Sequence, residues 1–138
     1  MRPVRFAVPA EVAFDFLVDP ANRPRWQSSL SRVERVRGEV GLGQTWVDVT
    51  LLRLRPRMET TELDRPRRWT ERGTWRSFAA TLTLTFEPAG AGCDVGVAME
   101  VRGRGLARPL ALLLGVAAPI AVRRDLERAA RLLGDSSN

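Results

Sequence analysis

The sequence predicts an α+β domain in which a curved antiparallel sheet of about seven strands wraps around one long C-terminal helix. The first observation is a series of short runs in which apolar and polar side chains alternate, as they do in half-buried antiparallel strands. The second is the segment 106–133, which has helical spacing and is the only part of the chain apolar enough to cover such a sheet. The chain of 138 residues suits a single domain that spans residues 1–138.

Alternation and turn residues divide the chain into seven strands, with two short helices after the first strand. Pro9 and the pair Asp19-Pro20 are typical of helix starts, which predicts helices at residues 9–18 and 20–26. Short connections between the later strands indicate a meander of neighbouring antiparallel strands. The strands are expected at residues 4–8, 30–37, 45–51, 58–64, 69–75, 78–87 and 93–102.

The C-terminal helix is expected to fill the concave face of the sheet. Residues 109–122 carry no charge, and a helix that is apolar on all sides is expected to be buried. This run is shorter than the ~20 residues that span a membrane, although contact with a membrane surface stays an alternative. Pro119 is expected to kink or split the helix, and Gly134 to end it. The many small residues of the run predict a cavity between helix and sheet.

Composition excludes several kinds of site. The chain has no His and a single Cys, Cys93, so the sequence predicts no metal site and no disulfide. It has no glycine-rich phosphate loop, and we therefore expect no cofactor. The net charge is +6, yet the arginines alternate with acidic residues along the chain, which argues against nucleic acid as a partner. The first residues lack an apolar stretch, so a cytoplasmic protein with no integral membrane association is expected.

Two carboxylates are candidates for chemistry in the cavity. Glu71 shares a strand face with Trp69 and Trp75, and Asp48 shares one with Trp46. A carboxylate among apolar walls has a raised pKa and can act as a general acid or base. The alternative is that these side chains face solvent or pair with an arginine of a neighbouring strand, such as Arg72 or Arg76.

The candidate ligand-binding residues are apolar side chains expected on the inner faces of the strands and helix, whereas Trp26 is expected to have a structural role. The candidates are Trp46, Met58, Trp69, Trp75, Leu84, Met99, Leu113 and Ala117.

Four local motifs resemble the START-like, Bet v 1-like helix-grip superfamily, and in particular the bacterial SRPBCC group of polyketide cyclase/dehydrase-like proteins. The motifs are PAEVAFDFLVDPANRPRW (9–26), the stretch 41–46, DRPRRW (64–69) and TLTLTFEPAGAG (81–92). The resemblance implies a seven-stranded sheet curled round a C-terminal helix, with an apolar cavity between them. It also implies a ligand such as a lipid, sterol, quinone or polyketide.

Three functions are compatible with these observations. The favoured hypothesis is the binding of a small apolar or amphipathic ligand, such as a lipid, polyketide or isoprenoid-like molecule, without catalysis. The first alternative is a polyketide cyclase or dehydratase that uses an inward carboxylate. The absence of His and Tyr disfavours it, because both often transfer protons in cavities. The second alternative is a surface role, in which the arginine-rich exterior contacts an anionic membrane or a partner protein. A homodimer is possible, although no residue pattern requires it.

Overall fold

The structure is a computed structural model that describes residues 2–136. It contains seven strands and three α-helices, with single turns of 3-10 helix at Pro20–Asn22 and Gly105–Ala107. In chain order the elements are β1 (Val4–Phe6), α1 (Ala10–Val18), α2 (Arg23–Trp26), β2 (Leu30–Arg37), β3 (Thr45–Thr50), β4 (Arg57–Asp64), β5 (Arg68–Trp75), β6 (Phe78–Ala89), β7 (Gly92–Gly103) and α3 (Arg108–Ser136).

All seven strands form one antiparallel sheet in the order β1-β7-β6-β5-β4-β3-β2. The meander from β2 to β7 follows the chain, and β1 pairs with β7 to complete the sheet. Irregularities in register interrupt β2 and β4, and bulges of this kind increase the bend of a sheet. The expected α+β helix-grip fold is therefore confirmed.

The hydrophobic core lies between the concave face of the sheet, α1 and the C-terminal half of α3. Phe14 of α1 packs edge-on against Phe86 of β6, with ring centroids 5.1 Å apart. Leu126 and Ala129 of α3 are completely buried in the same cluster. These contacts attach the C-terminal half of α3 to the sheet.

The structure corrects two expectations about the shape of α3. It is one continuous helix across Pro119, so it is not split there, and it continues past Gly134 to Ser136. An interior proline removes one helical hydrogen bond. That loss does not divide this helix, whose C-terminal half is anchored in the core.

The expected burial of residues 109–122 is wrong. Ala111 faces the protein and is only 2% exposed, whereas Ala117 is exposed. The large residues face outward: Leu112 is 68% exposed, Leu113 64% and Val116 71%. The contact with β7 explains this orientation. A Cβ on Gly103 would lie 2.9 Å from the Cβ of Ala111, so the helix approaches the strand through its small residues.

Candidate functional site

A buried arginine, Arg23 of α2, forms the centre of the candidate site. Its Nη2 donates to Asp48 Oδ2 at 2.8 Å and its Nε donates to Asp48 Oδ1 at 3.1 Å. Its Nη1 donates to Glu71 Oε2 at 2.7 Å. The guanidinium also lies 5.0 Å from the centroid of the Trp46 ring, and the Trp46 Nε1–H donates to Asp48 Oδ1 at 2.9 Å. The three charged side chains are at most 7% exposed.

Local sequence explains how these groups meet. The side chain of Asp19 accepts a hydrogen bond from the Ala21 N–H, which shapes the turn that leads into α2. Asn22 donates to the Phe16 carbonyl at 3.1 Å and so ties the start of α2 to α1. Alternation on β3 and β5 then turns Asp48 and Glu71 to the concave face, where α2 lies.

Burial and neighbouring charges set the protonation of this cluster. Burial raises the pKa of Glu71, Arg23 partly offsets that rise, and the nearby Asp48 charge adds to it. Burial alone lowers the pKa of Arg23, but the two carboxylates outweigh burial and raise it above its ordinary value. Arg23 therefore stays positively charged. One positive charge faces two carboxyl groups, and Glu71 is the group that holds a proton more readily than an ordinary glutamate.

A cavity of about 340 Å³ lies between the concave face of the sheet and α3, and it opens to solvent. The buried charged cluster forms its deep end, whereas the half-buried aromatic side chains lie nearer the opening. The remaining wall is mostly apolar. The cavity is lined by Arg23, Trp26, Gln27, Ser29, Leu30, Asp48, Thr50, Pro56, Met58, Glu71, Gly73, Thr74, Trp75, Phe78, Ala80, Leu82, Met99, Ala118, Ala121, Val122 and Asp125.

Five of the residues singled out from the sequence line this cavity: Glu71, Asp48, Met58, Trp75 and Met99. The Glu71 side chain points to the concave face of the sheet, as expected. Its partner is not an arginine of a neighbouring strand, however, but the helical Arg23.

Five other candidates do not line the cavity. Trp46, Trp69 and Leu84 are buried in the core behind it, and the Trp69 Nε1–H donates to Thr60 Oγ1 at 3.2 Å. Leu113 and Ala117 lie on the exposed outer side of α3, because the helix meets the sheet through the side that carries Ala111 and Ala118. Ala118, Ala121 and Val122 form the helical wall instead.

The sequence reasoning missed two residues of the site. Arg23 was not singled out among the chain's many arginines, and Trp26 was assigned a structural role only. The spacing of three between them is the signal that would have found Arg23, because residues three apart share one side of a helix. The Trp26 indole N–H is buried and has no hydrogen-bond partner among the described residues. Trp26 is itself one of the residues that line the cavity.

A second, larger concavity of about 700 Å³ lies over β2 to β5 and has a different character. Its rim is polar and basic, with the exposed side chains of Arg35, Arg37, Arg55, Arg57 and Arg72. Within residues 2–136, no group of three or more His, Cys, Asp or Glu side chains is arranged to hold a metal ion.

This geometry defines a class of proteins in which a curved antiparallel sheet grips a C-terminal helix and leaves a ligand-sized cavity between them. The family model described as polyketide cyclase / dehydrase and lipid transport matches residues 2–136, and the chain belongs to this family. The comparison with curated proteins finds no match.

Solved structures share the fold at low sequence identity. Protein MLL2253 from Mesorhizobium loti has a TM-score of 0.75 at 14% identity, over 96% of this chain and 93% of that chain. Ara h 8.0201 has a TM-score of 0.69 at 13% identity, over 92% of this chain and 93% of that chain. The di-domain ARO/CYC protein StfQ of the steffimycin biosynthetic pathway has a TM-score of 0.77 at 14% identity. The match covers 98% of this chain and 50% of StfQ. At these identities the likeness shows the fold alone.

Proposed function

We propose that this protein binds a small, mostly apolar ligand that carries one hydroxyl or carbonyl group. The observation that carries the proposal is the cavity itself, which joins apolar walls to a buried charged cluster at its deep end. Its volume of about 340 Å³ suits a compact ligand, since small-molecule sites span roughly 300–1,000 Å³. The cytoplasmic location and a possible homodimer stay predictions.

The polar end of the ligand would meet two kinds of group. Glu71 and Asp48 accept hydrogen bonds, and the Trp26 indole N–H is a donor without a partner among the described residues. A ligand hydroxyl can serve both, because it donates one hydrogen bond and accepts others. Arg23 already donates to both carboxylates, but a purely apolar ligand would offer no donor to their remaining lone pairs. We therefore expect the site to discriminate in favour of an oxygen-bearing ligand.

A pair of matched probes tests this expectation. 2-Naphthol and naphthalene share a bicyclic ring system and differ by one hydroxyl group. Isothermal titration calorimetry should show 2-naphthol binding at least about tenfold more tightly, because a net hydrogen bond to a charged group contributes about 1.5–3 kcal/mol. Equal affinities would contradict the proposed role of the charged cluster.

A pair of matched variants tests the location. Ala118→Phe should fill the cavity and abolish 2-naphthol binding, because Ala118 lines the wall. Ala117→Phe adds the same side chain one residue away, on the exposed side of α3, and should leave binding unchanged. If both variants bind 2-naphthol as the unmodified protein does, the ligand site lies elsewhere.

A second candidate function is catalysis of cyclisation or dehydration. The raised pKa of Glu71 favours it, because a carboxyl group that holds its proton can donate one to a leaving hydroxyl group. The dehydration of 3-hydroxy-1-tetralone is a suitable probe reaction, since loss of water and tautomerisation give the fluorescent 1-naphthol. If the protein is such an enzyme, it accelerates this reaction and Glu71→Gln removes the acceleration while 2-naphthol still binds. Equal rates with and without protein would favour binding alone.

A further inference from the structure

We propose that the N-terminal half of α3 and the loop between β3 and β4 dock this protein on the surface of an anionic lipid bilayer. The inference concerns the outside of the molecule and does not depend on what fills the cavity. The first observation is the orientation of α3, which turns Ala111 and Ala118 to the protein while its large apolar residues face outward. The exposed large residues include Leu106, Leu110, Leu112, Leu113, Val116 and Ile120.

This orientation is the reverse of that expected for a helix in a soluble core. Single exposed leucines are normal on protein surfaces, but a contiguous apolar face marks a contact surface. The helical segment 105–134, which joins the 3-10 turn to α3, is long and apolar enough to cross a membrane. Only 6% of its most apolar 18 residues are buried. The face is therefore available to a partner.

The loop between β3 and β4 adds a second apolar surface at the same end of the sheet. Leu51 is 66% exposed and Leu52 is 83% exposed. The base of this loop, Thr50 and Pro56, lines the same cavity as Ala118 of α3. The two surfaces therefore flank one cavity opening. We refer to residues 51–54 and 106–120 together as the apolar end.

The charged residues around the apolar end indicate which kind of partner covers it. The three segments that meet there, residues 49–58, 72–86 and 101–124, contain no Asp or Glu. Their arginines include Arg53, Arg76, Arg104, Arg108 and Arg124, all exposed and without an ion pair among the described residues. Exposed apolar side chains flanked by unpaired arginines fit anionic headgroups over an acyl layer.

The same charges disfavour a second copy of the chain as the occupant. Two α3 helices packed face to face would bring Arg104, Arg108 and Arg124 of both copies together, with no acid between residues 101 and 124 to neutralise them. Lipid phosphates supply the missing negative charge.

The geometry also favours lying on the bilayer over crossing it. The uncharged run 109–122 is about 21 Å long, shorter than the roughly 30 Å hydrocarbon layer. Beyond it, Leu126 and Ala129 are buried against the sheet, so the C-terminal half of the helix is not free to enter a membrane.

Vesicle co-sedimentation with the full chain tests the proposal. Vesicles of phosphatidylcholine with about 30% phosphatidylglycerol should bind the protein at least about tenfold better than pure phosphatidylcholine vesicles at low salt. Raising the salt concentration should reduce this preference, because salt screens exposed charges. The double variant Leu113→Gln, Val116→Gln should reduce binding about tenfold. The double variant Arg104→Gln, Arg108→Gln should reduce the preference for anionic vesicles.

The matched control is Leu42→Gln, because Leu42 is 72% exposed in the loop between β2 and β3, at the opposite end of the sheet. This variant should bind vesicles within about twofold of the unmodified protein. Ala118→Phe should also bind vesicles normally even where it abolishes 2-naphthol binding, so the two proposals fail separately.

Three outcomes would overturn the docking proposal. The first is that the unmodified protein stays in the supernatant with anionic vesicles. The second is that Leu42→Gln weakens binding as much as the α3 double variant does. The third is a dimer in sedimentation equilibrium that the α3 double variant dissociates while neither protein binds vesicles, which would identify a second copy as the occupant.

Discussion

Arg23 is a positive charge that is kept from water by a helix of only four residues and by two strands. Removing water from a charge is costly, and the cluster is tolerated because three nitrogen atoms of the guanidinium donate to Asp48 and Glu71. The arrangement is weak evidence for high stability, since an apolar replacement of the whole cluster can be as stable. A buried charged cluster that lines a cavity is better explained by a role in the site than by a role in folding.

Replacing Arg23 alone should be strongly destabilising, because two buried carboxyl groups would lose their common partner. We expect Arg23→Met to lower the free energy of unfolding by about 3–5 kcal/mol in urea denaturation. Arg25→Met in the same helix is the control, since Arg25 is exposed, stacks on Phe16 at 5.2 Å and makes one long hydrogen bond of 3.5 Å to Asn22 Oδ1. Its cost should stay below about 1 kcal/mol. Similar losses in both variants would mean that Arg23 is not held by the carboxylates.

The raised pKa of Glu71 makes stability depend on pH in a defined direction. Because the folded protein holds this proton more tightly than the unfolded chain, the contribution of Glu71 is fully present below about pH 4.3. It is lost as the pH rises through the raised pKa. The unfolding free energy of the wild type, relative to Glu71→Gln, should therefore fall as the pH rises from about 4 towards 7. Urea denaturation at several pH values measures this difference.

A control for surface charge accompanies the pH series. Glu59→Gln removes a carboxylate from the exposed face of β4, outside the cluster. Two results would contradict the raised pKa of Glu71. The first is that the unfolding free energy of the wild type, relative to Glu71→Gln, rises with pH. The second is that it changes with pH in the same way as the unfolding free energy relative to Glu59→Gln.

Arg23 shows what the sequence did not reveal at the scale of single residues. Strand alternation correctly places Glu71 and Asp48 on the inner face, because successive side chains of a strand point to opposite faces of the sheet. Nothing in the composition separates Arg23 from the chain's exposed arginines. Its burial depends on the packing of α2 against the open end of the sheet, which is a tertiary contact.

Two glycines, Gly103 at the end of β7 and Gly115 in α3, should respond in opposite ways to alanine. Gly103→Ala places a Cβ 2.6 Å from the Ala107 carbonyl oxygen and 2.9 Å from the Ala111 Cβ, so helix or strand must shift. We expect a loss of about 1–3 kcal/mol in the free energy of unfolding. Gly115→Ala in the helix meets nothing within 4 Å and should gain about 0.5–1 kcal/mol, because glycine is a poor helix former.

Urea denaturation of both variants measures these changes. If Gly103→Ala is as stable as the unmodified protein, the close approach of α3 to the end of β7 is not required. If Gly115→Ala destabilises, the apolar run of α3 is not a continuous helix at that position.

At the scale of elements, α3 marks the limit of sequence prediction. Helical spacing predicts the helix correctly, but a run without charges has no polar side to indicate which face meets the sheet. The expectation that the whole run 109–122 is buried is therefore wrong. The deciding contact is steric: Gly103 and Ala111 permit close approach, and the leucines are left on the other side. Pro119 did not break the helix because the anchored C-terminal half continues it.

At the scale of the whole molecule, the sheet was the most predictable part. Seven alternating runs joined by short connections leave few topologies other than a meander, and β1 closes the sheet beside β7. The sequence predicts that a cavity lies between sheet and helix, because a curved sheet covered by a helix with small residues leaves space. Its polar end was predicted only in part, because Arg23 and Trp26 come from α2 rather than from the alternating strands.

The cavity couples ligand binding to the stability of the whole domain. A ligand that binds only the folded protein stabilises it by about 2.7 kcal/mol at a concentration of 100 Kd. For a domain of this size, 1 kcal/mol corresponds to roughly 3–5 °C in Tm, so 2-naphthol at 100 Kd should raise Tm by about 10 °C. Ala117→Phe should show the same rise and Ala118→Phe should show none, because only the latter fills the cavity. Differential scanning calorimetry measures the three transitions, and an equal rise in Ala118→Phe would place the ligand outside this cavity.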